Sequence, residues 1–160
     1  MKKLLILGLV IVLFGCSIKF NEKKEKKSVS DSYYCSMPAG SLGEFALVAE
    51  YSGDKITDID FITKEKTSAE GADLWAEMFT EDLAIYQGVP GITTSLTVAS
   101  DKSTVEKNIR VNIAKFNYDE TDETIIESSE VLAFVNYAKL FPAEEFIDAI
   151  QNLGYTCKKN

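Results

Sequence analysis

Apolar positions follow three regimes along this chain: an unbroken run near the start, a polar gap, and then a long stretch in which they recur at strand and helix spacing. The first alternating segment is Glu44 to Ser52, where Phe45, Leu47, Ala49 and Tyr51 share one face as a half-buried strand requires. Ser52-Gly53-Asp54-Lys55 has turn chemistry. Lys55 to Lys64 then resumes the alternation, with Thr57, Ile59, Phe61 and Thr63 on one face and Asp58, Asp60 and Lys64 on the other. The pattern predicts a hairpin with both aspartates exposed to water.

Thr67-Ser68-Ala69-Glu70 places a glutamate three residues after a threonine, the spacing of a capping box at a helix start. Leu74, Trp75, Met78, Phe79, Leu83, Ile85 and Tyr86 follow at helical spacing, and the helix is expected to stop before Gly88-Val89-Pro90-Gly91. Trp75 is read as part of this core stripe rather than as the wall of a ligand pocket. A second hairpin follows: Ile92, Thr94, Leu96 and Val98 alternate, Ser100 to Ser103 turns the chain, and Ile109, Val111 and Ile113 alternate again.

Tyr118 to Glu130 is acidic and threonine-rich, a loop or the exposed start of a helix, and the apolar stretch Val131 to Phe141 reads as helix. Pro142-Ala143-Glu144-Glu145 has the proline and early acids of a helix N-terminus; Phe146, Ile147, Ile150 and Leu153 form its expected buried stripe, and Gly154 its C-cap. Tyr155 to Lys158 is expected to pair with Tyr33 to Met37. Hairpin, helix, hairpin and helices predict an α+β domain over residues 33–160, a mostly antiparallel sheet with helices on one face.

The run at the front is of a different kind. Met1-Lys2-Lys3 is a short positive start, Leu4 to Phe14 is apolar, and Leu13-Phe14-Gly15-Cys16 has the shape of a bacterial lipobox. The run is too short to span a bilayer as a helix and ends in a small residue before a cysteine, as a cleaved signal does. Residues 1–15 are therefore expected to be removed and Cys16 to carry the lipid. The alternatives are an ordinary secretory signal cut nearby and an uncleaved anchor. A diacylglyceryl group with palmitate-type chains would hold the protein at a membrane surface. The expected location is the bacterial cell envelope, on the outer side of the cytoplasmic membrane or in an outer membrane where one exists.

Charge separates the tether from the domain. The full chain carries 17 basic and 25 acidic residues, −8 in all. Residues 17–30, with Lys19, Lys23, Lys24, Lys26 and Lys27 against Glu22 and Glu25, are +3, while residues 31–160 hold 10 basic and 23 acidic side chains, −13. Within the tether of residues 16–32, the polar, lysine-rich segment Asn21 to Ser32 reads as a flexible leash that reaches at most roughly 40 Å when stretched. Its lysines suit anionic headgroups, or serve only as a soluble spacer. An acidic domain with a single arginine, Arg110, argues against nucleic acid as a partner.

With Cys16 reserved for lipid, Cys35 and Cys157 remain, and export would place them in an oxidising compartment. The reading is a structural disulfide that staples the two ends of the domain; free thiols and a redox pair are the rivals, the latter weakened by the absence of Cys-x-x-Cys spacing.

Tyr51-Ser52-Gly53-Asp54-Lys55-Ile56, Tyr86-Gln87-Gly88-Val89, Asn108-Ile109-Arg110-Val111-Asn112-Ile113 and Leu153-Gly154-Tyr155, together with the lipobox, resemble the YehR-like small bacterial lipoproteins. The resemblance covers residues 44–156. It implies an α+β fold and carries no established activity; Cys35 and Cys157 stand outside its pattern.

The missing residues bound the chemistry. There is no histidine, which removes Ser-His-Asp and Cys-His nucleophile activation and the commonest general base. No dinucleotide or Walker glycine loop is present. Asp58 and Asp60 on one strand face are too little for a catalytic pair, which needs carboxyls facing across a substrate. Asp119-Glu120-Thr121-Asp122-Glu123 has oxygens for calcium but lacks the spacing and glycine of an EF-hand loop. No catalytic residue, metal site or cofactor is assigned. Two functions stay open: a non-catalytic lipoprotein domain that binds a small ligand or an envelope protein, and a carboxylate-dependent hydrolase acting on cell-wall polymer or glycan. A cleft holding partly buried acids would favour the second, and an exposed apolar patch or pocket the first.

Overall fold

The structure is a computed structural model that describes residues 31–40 and 43–160. The expected signal peptide, Cys16 and most of the expected tether lie outside the described residues. Six strands form one antiparallel sheet: β1 (Asp31–Ala39), β2 (Gly43–Ser52), β3 (Lys55–Lys66), β4 (Ile92–Val98), β5 (Thr104–Asn112) and β6 (Thr156–Lys159), in the spatial order β4-β5-β3-β2-β1-β6. Four helices complete it: α1 (Ala69–Ala84), α2 (Glu123–Ser128), α3 (Glu130–Leu140) and α4 (Ala143–Asn152). The architecture is α+β.

Both hairpins form where the alternation places them, and Gly53 takes up the left-handed backbone of the first turn at φ 65°. The chain leaves β3 through α1, skips one strand position to β4, and returns by β5, which lies against β3 with Phe61 opposite Ile109 and Asp60 opposite Arg110. After three more helices β6 closes on β1, with Cys157 directly opposite Cys35 and the two sulfurs bonded.

Cross-strand register puts Leu47, Ala49, Ile59, Phe61, Ile109 and Val111 on one face, and the helices pack there. The α4 stripe Phe146, Ile147 and Ile150 covers β1 and β2, whereas Leu132 and Val135 of α3 and Leu83 of α1 cover β3 and β5. Leu153, expected in the α4 stripe, lies past the last turn and is 59% exposed.

Two expectations for α1 change. The cap is Ser68, not Thr67: its extended backbone and its Oγ, which accepts the Gly71 N–H at 3.2 Å, start the helix one residue later. The apolar stripe is also narrower than expected. Ala72, Phe79 and Leu83 face the sheet, but Leu74, Met78 and Ile85 remain exposed because α1 lies mainly over β4 and β5.

Candidate functional site

The opposite face of the sheet carries the polar phase of every central strand, and there the exposed aspartate reading fails. Asp60 is buried and Asp58 only slightly exposed, because both face Arg110 across the β3–β5 pairing. The Arg110 guanidinium donates to Asp60 at 2.7 Å and to Glu50 at 3.0 Å, and lies 3.4 Å from Asp58. Asn108 donates to Asp60 at 3.3 Å and Asn112 to Asp58 at 3.0 Å. One guanidinium thus bridges a row of three acids on neighbouring strands and offsets only part of their charge.

Burial raises the Asp60 pKa above the ordinary aspartate value, and the Arg110 charge and the Asn108 hydrogen bond only partly oppose it. Burial alone would lower the Arg110 pKa, but the Glu50 hydrogen bond and the charges of Asp60, Glu50 and Asp58 raise it overall. A carboxylate committed to a guanidinium in this way is neither a free nucleophile nor a free base. The cluster links β2, β3 and β5 across the open face of the sheet. Arg110 and Glu50 were missed in the sequence, although the polar phases of Asp58-x-Asp60 and Asn108-x-Arg110-x-Asn112 were visible.

The other acidic candidates stand apart from this cluster. Asp122 caps α2, accepting from the Thr124 N–H at 2.8 Å and its hydroxyl at 2.6 Å, and these bonds lower its pKa. Among the described residues no group of three or more acids and cysteines is placed to hold a metal ion.

The helical face offers a different environment. Because α1 sits over β4 and β5 while α3 and α4 cover the centre and the far edge, a groove of about 540 Å³ opens between α1 and the start of α3. Phe45, Phe61 and Ile109 supply its floor from three adjacent strands. Ile85 lines it from the C-cap of α1, Val131 and Phe134 from α3, and Tyr155 reaches it from the residue before β6. Phe45 and Ile85 are 39% and 40% exposed, so the apolar lining continues to the surface.

Polar groups sit among the apolar lining. Lys107 lies over the Phe79 ring at 4.8 Å and bonds Asp82 at 2.6 Å, leaving Glu81 and Glu130 to set a net acidic rim. Tyr86 and Ser129 meet within the groove at 2.6 Å, tying the end of α1 to the N-cap of α3. Burial raises the Tyr86 pKa against the opposing effect of that hydrogen bond. Burial raises the Tyr155 pKa too, with the Glu130 charge adding to it. Size, aromatic lining and a few oriented polar groups are the features of a small-molecule or peptide-side-chain site.

Comparison with solved structures adds the fold relationship. The NMR structure of the E. coli YehR protein superimposes with a TM-score of 0.60, at 17% identity, over 80% of this chain and 90% of its own. This chain shares the YehR fold. An NMR structure of a protein from Streptococcus pneumoniae TIGR4 aligns equally well, with a TM-score of 0.60 at 10% identity, covering 99% of this chain and 96% of that one. No protein-family model matches the sequence, and no curated protein does. At such identities the likeness concerns the backbone.

The disulfide assignment for Cys35 and Cys157 agrees with the structure, whereas Cys16 lies outside the described residues. Among the described residues no helix is long and apolar enough to cross a membrane. Sequence reasoning did not find the groove, since its lining comes from six separate stretches of the chain; the nearest signal was the excess width of the α1 stripe.

Proposed function

We propose that this chain is a YehR-like lipoprotein, exported and anchored in the bacterial envelope through lipid on Cys16, whose domain binds a ligand without transforming it. The observation that carries the binding reading is the groove between α1 and α3, with an aromatic floor open to solvent and a net acidic rim. Such a rim selects an apolar body bearing a positive charge, whether a small molecule or a side chain of an envelope protein. The hydrolase reading loses its support because the partly buried acids sit on the opposite sheet face and are held by Arg110. The lipobox, the lysine-rich leash and the Cys35–Cys157 bond support export and anchoring.

Two linked experiments test this. Cys16→Ala should move the protein from the membrane to the soluble fraction; a variant still processed and membrane-bound contradicts lipid anchoring. Affinity capture of the intact lipoprotein from its own membranes should then recover a molecule that an Ile85→Lys variant loses. Equal recovery by both contradicts the groove as the site.

A further inference from the structure

The sheet has two edges, and they are built in opposite ways. The β6 edge is four residues long and carries Lys158 and Lys159, and the β1 segment beyond it contains Pro38. Short strands, lysines and proline are the usual means of keeping an edge from pairing. The β4 edge has none of them. Its seven residues, Ile92-Thr93-Thr94-Ser95-Leu96-Thr97-Val98, carry no charge and no proline, and five are exposed. All but Ser95 and Leu96 are β-branched, the residue type best suited to strand pairing.

The hydrogen-bond phase shows which groups this edge presents. Asn112 N–H donates to Gly91 O at 2.8 Å and Ala99 N–H to Thr104 O at 2.9 Å, so the odd-numbered residues between them bond to β5. The N–H and C=O groups of Thr94, Leu96 and Val98 therefore point away from the sheet.

We propose that two copies of this chain pair antiparallel through β4 about a two-fold axis at Ser95, joining their sheets into one. In this register Thr94 and Leu96 of the second copy exchange both backbone hydrogen bonds, and Val98 of the second copy donates to Ile92. The phase found in the free edge is the one this register needs. Side chains match as well, since residues opposite one another share a face. On the helical face Ile92 meets Val98 and Thr94 meets Leu96, while on the open face Thr93 meets Thr97 and Ser95 meets Ser95. Apolar and hydroxyl pairs of this kind stabilise antiparallel ladders.

The seam strand itself carries no charge, and Glu106, Lys107 and Arg110 on the neighbouring strand β5 are each engaged in an ion pair within their own copy. An extended segment of another protein would use the same backbone groups. The self-matching side-chain pattern favours a second copy. A ladder this short buries less than the roughly 1,200 Å² of a standard stable interface, so the dimer is weak and concentration-dependent.

The test is cysteine cross-linking of the full chain in its own membranes, read against the parent with Cys16, Cys35 and Cys157 in place. Ser95→Cys puts two thiols at a non-hydrogen-bonded pair, where Cα atoms are about 4.5 Å apart and a disulfide fits. Mild oxidation should give roughly tenfold more covalent homodimer for Ser95→Cys than for Thr97→Cys, whose own copies lie beyond disulfide reach. A mixture of Thr93→Cys and Thr97→Cys chains should cross-link. Adding Thr94→Pro to Ser95→Cys removes one outward N–H and no bond to β5, and should abolish the homodimer with the melting transition retained. Equal cross-linking by Ser95→Cys and Thr97→Cys overturns the proposal, as does a homodimer that survives Thr94→Pro. Absence of any homodimer, or capture of Ser95→Cys by a different protein, overturns it too.

Discussion

Replacing Arg110 with methionine keeps much of the side-chain volume and removes the guanidinium that pairs with Glu50, Asp58 and Asp60. A unit charge pair at about 4 Å near a protein surface interacts by roughly 4 kcal/mol before desolvation and entropy are charged against it, and fully exposed pairs retain only about 0.2–1 kcal/mol. Side-chain exposures of 12% for Asp60, 16% for Asp58, 27% for Glu50 and 39% for Arg110 place this cluster between exposed and buried limits. Removing one partner of a buried network costs about 3–5 kcal/mol. With the guanidinium partly in water, the expected loss is about 2 kcal/mol at neutral pH. For a domain of this length that lowers the melting temperature by roughly 6–10 °C. Thermal and urea unfolding followed by circular dichroism would measure it. A loss below about 0.5 kcal/mol would refute the network as a stabilising element.

Cys157→Ser opens a loop closed across a separation of 122 residues and should cost about 2–5 kcal/mol in chemical unfolding, while mass spectrometry of the parent without reduction should find Cys35 and Cys157 unalkylated. Ser129→Ala removes the α3 cap and orphans the buried Tyr86 hydroxyl, a loss of about 1–2 kcal/mol measurable by calorimetry. Because burial raises the Asp60 pKa, the folded state holds a proton that the unfolded state has released; stability from this group therefore rises as pH falls from neutral through the folded pKa and levels off below about 3.9. The stability difference between parent and Asp60→Asn should accordingly move in favour of the parent over that window, and a constant difference from pH 7 to 4 would contradict the assignment.

The strands were legible because each hairpin is local: Phe45 to Tyr51 and Ile59 to Phe61 alternate within a few residues of their turn. The pairing of Cys35 with Cys157 was legible for another reason, since only two cysteines remained after Cys16. What escaped depends on non-local register. Asp60 meets Arg110 only because β5 returns against β3 after α1 and β4 have intervened, and nothing near residue 60 signals that neighbour. Ser68 displaced Thr67 as the cap because adjacent hydroxyls are equivalent in composition and differ only in backbone conformation. Leu74, Met78 and Ile85 looked buried because periodicity reports a helical face and not how much of it the sheet below can cover.

Binding without turnover in the α1–α3 groove is tested most directly by titrating the full chain with dodecyltrimethylammonium below its micelle concentration, using calorimetry, alongside dodecyl sulfate as the anionic counterpart. The account predicts saturable binding of the cationic probe in preference to the anionic one, weakened about tenfold, or 1.4 kcal/mol, by Ile85→Lys at an exposed position of the groove wall. Binding that is absent, indifferent to the sign of the headgroup, or unchanged in Ile85→Lys would contradict it.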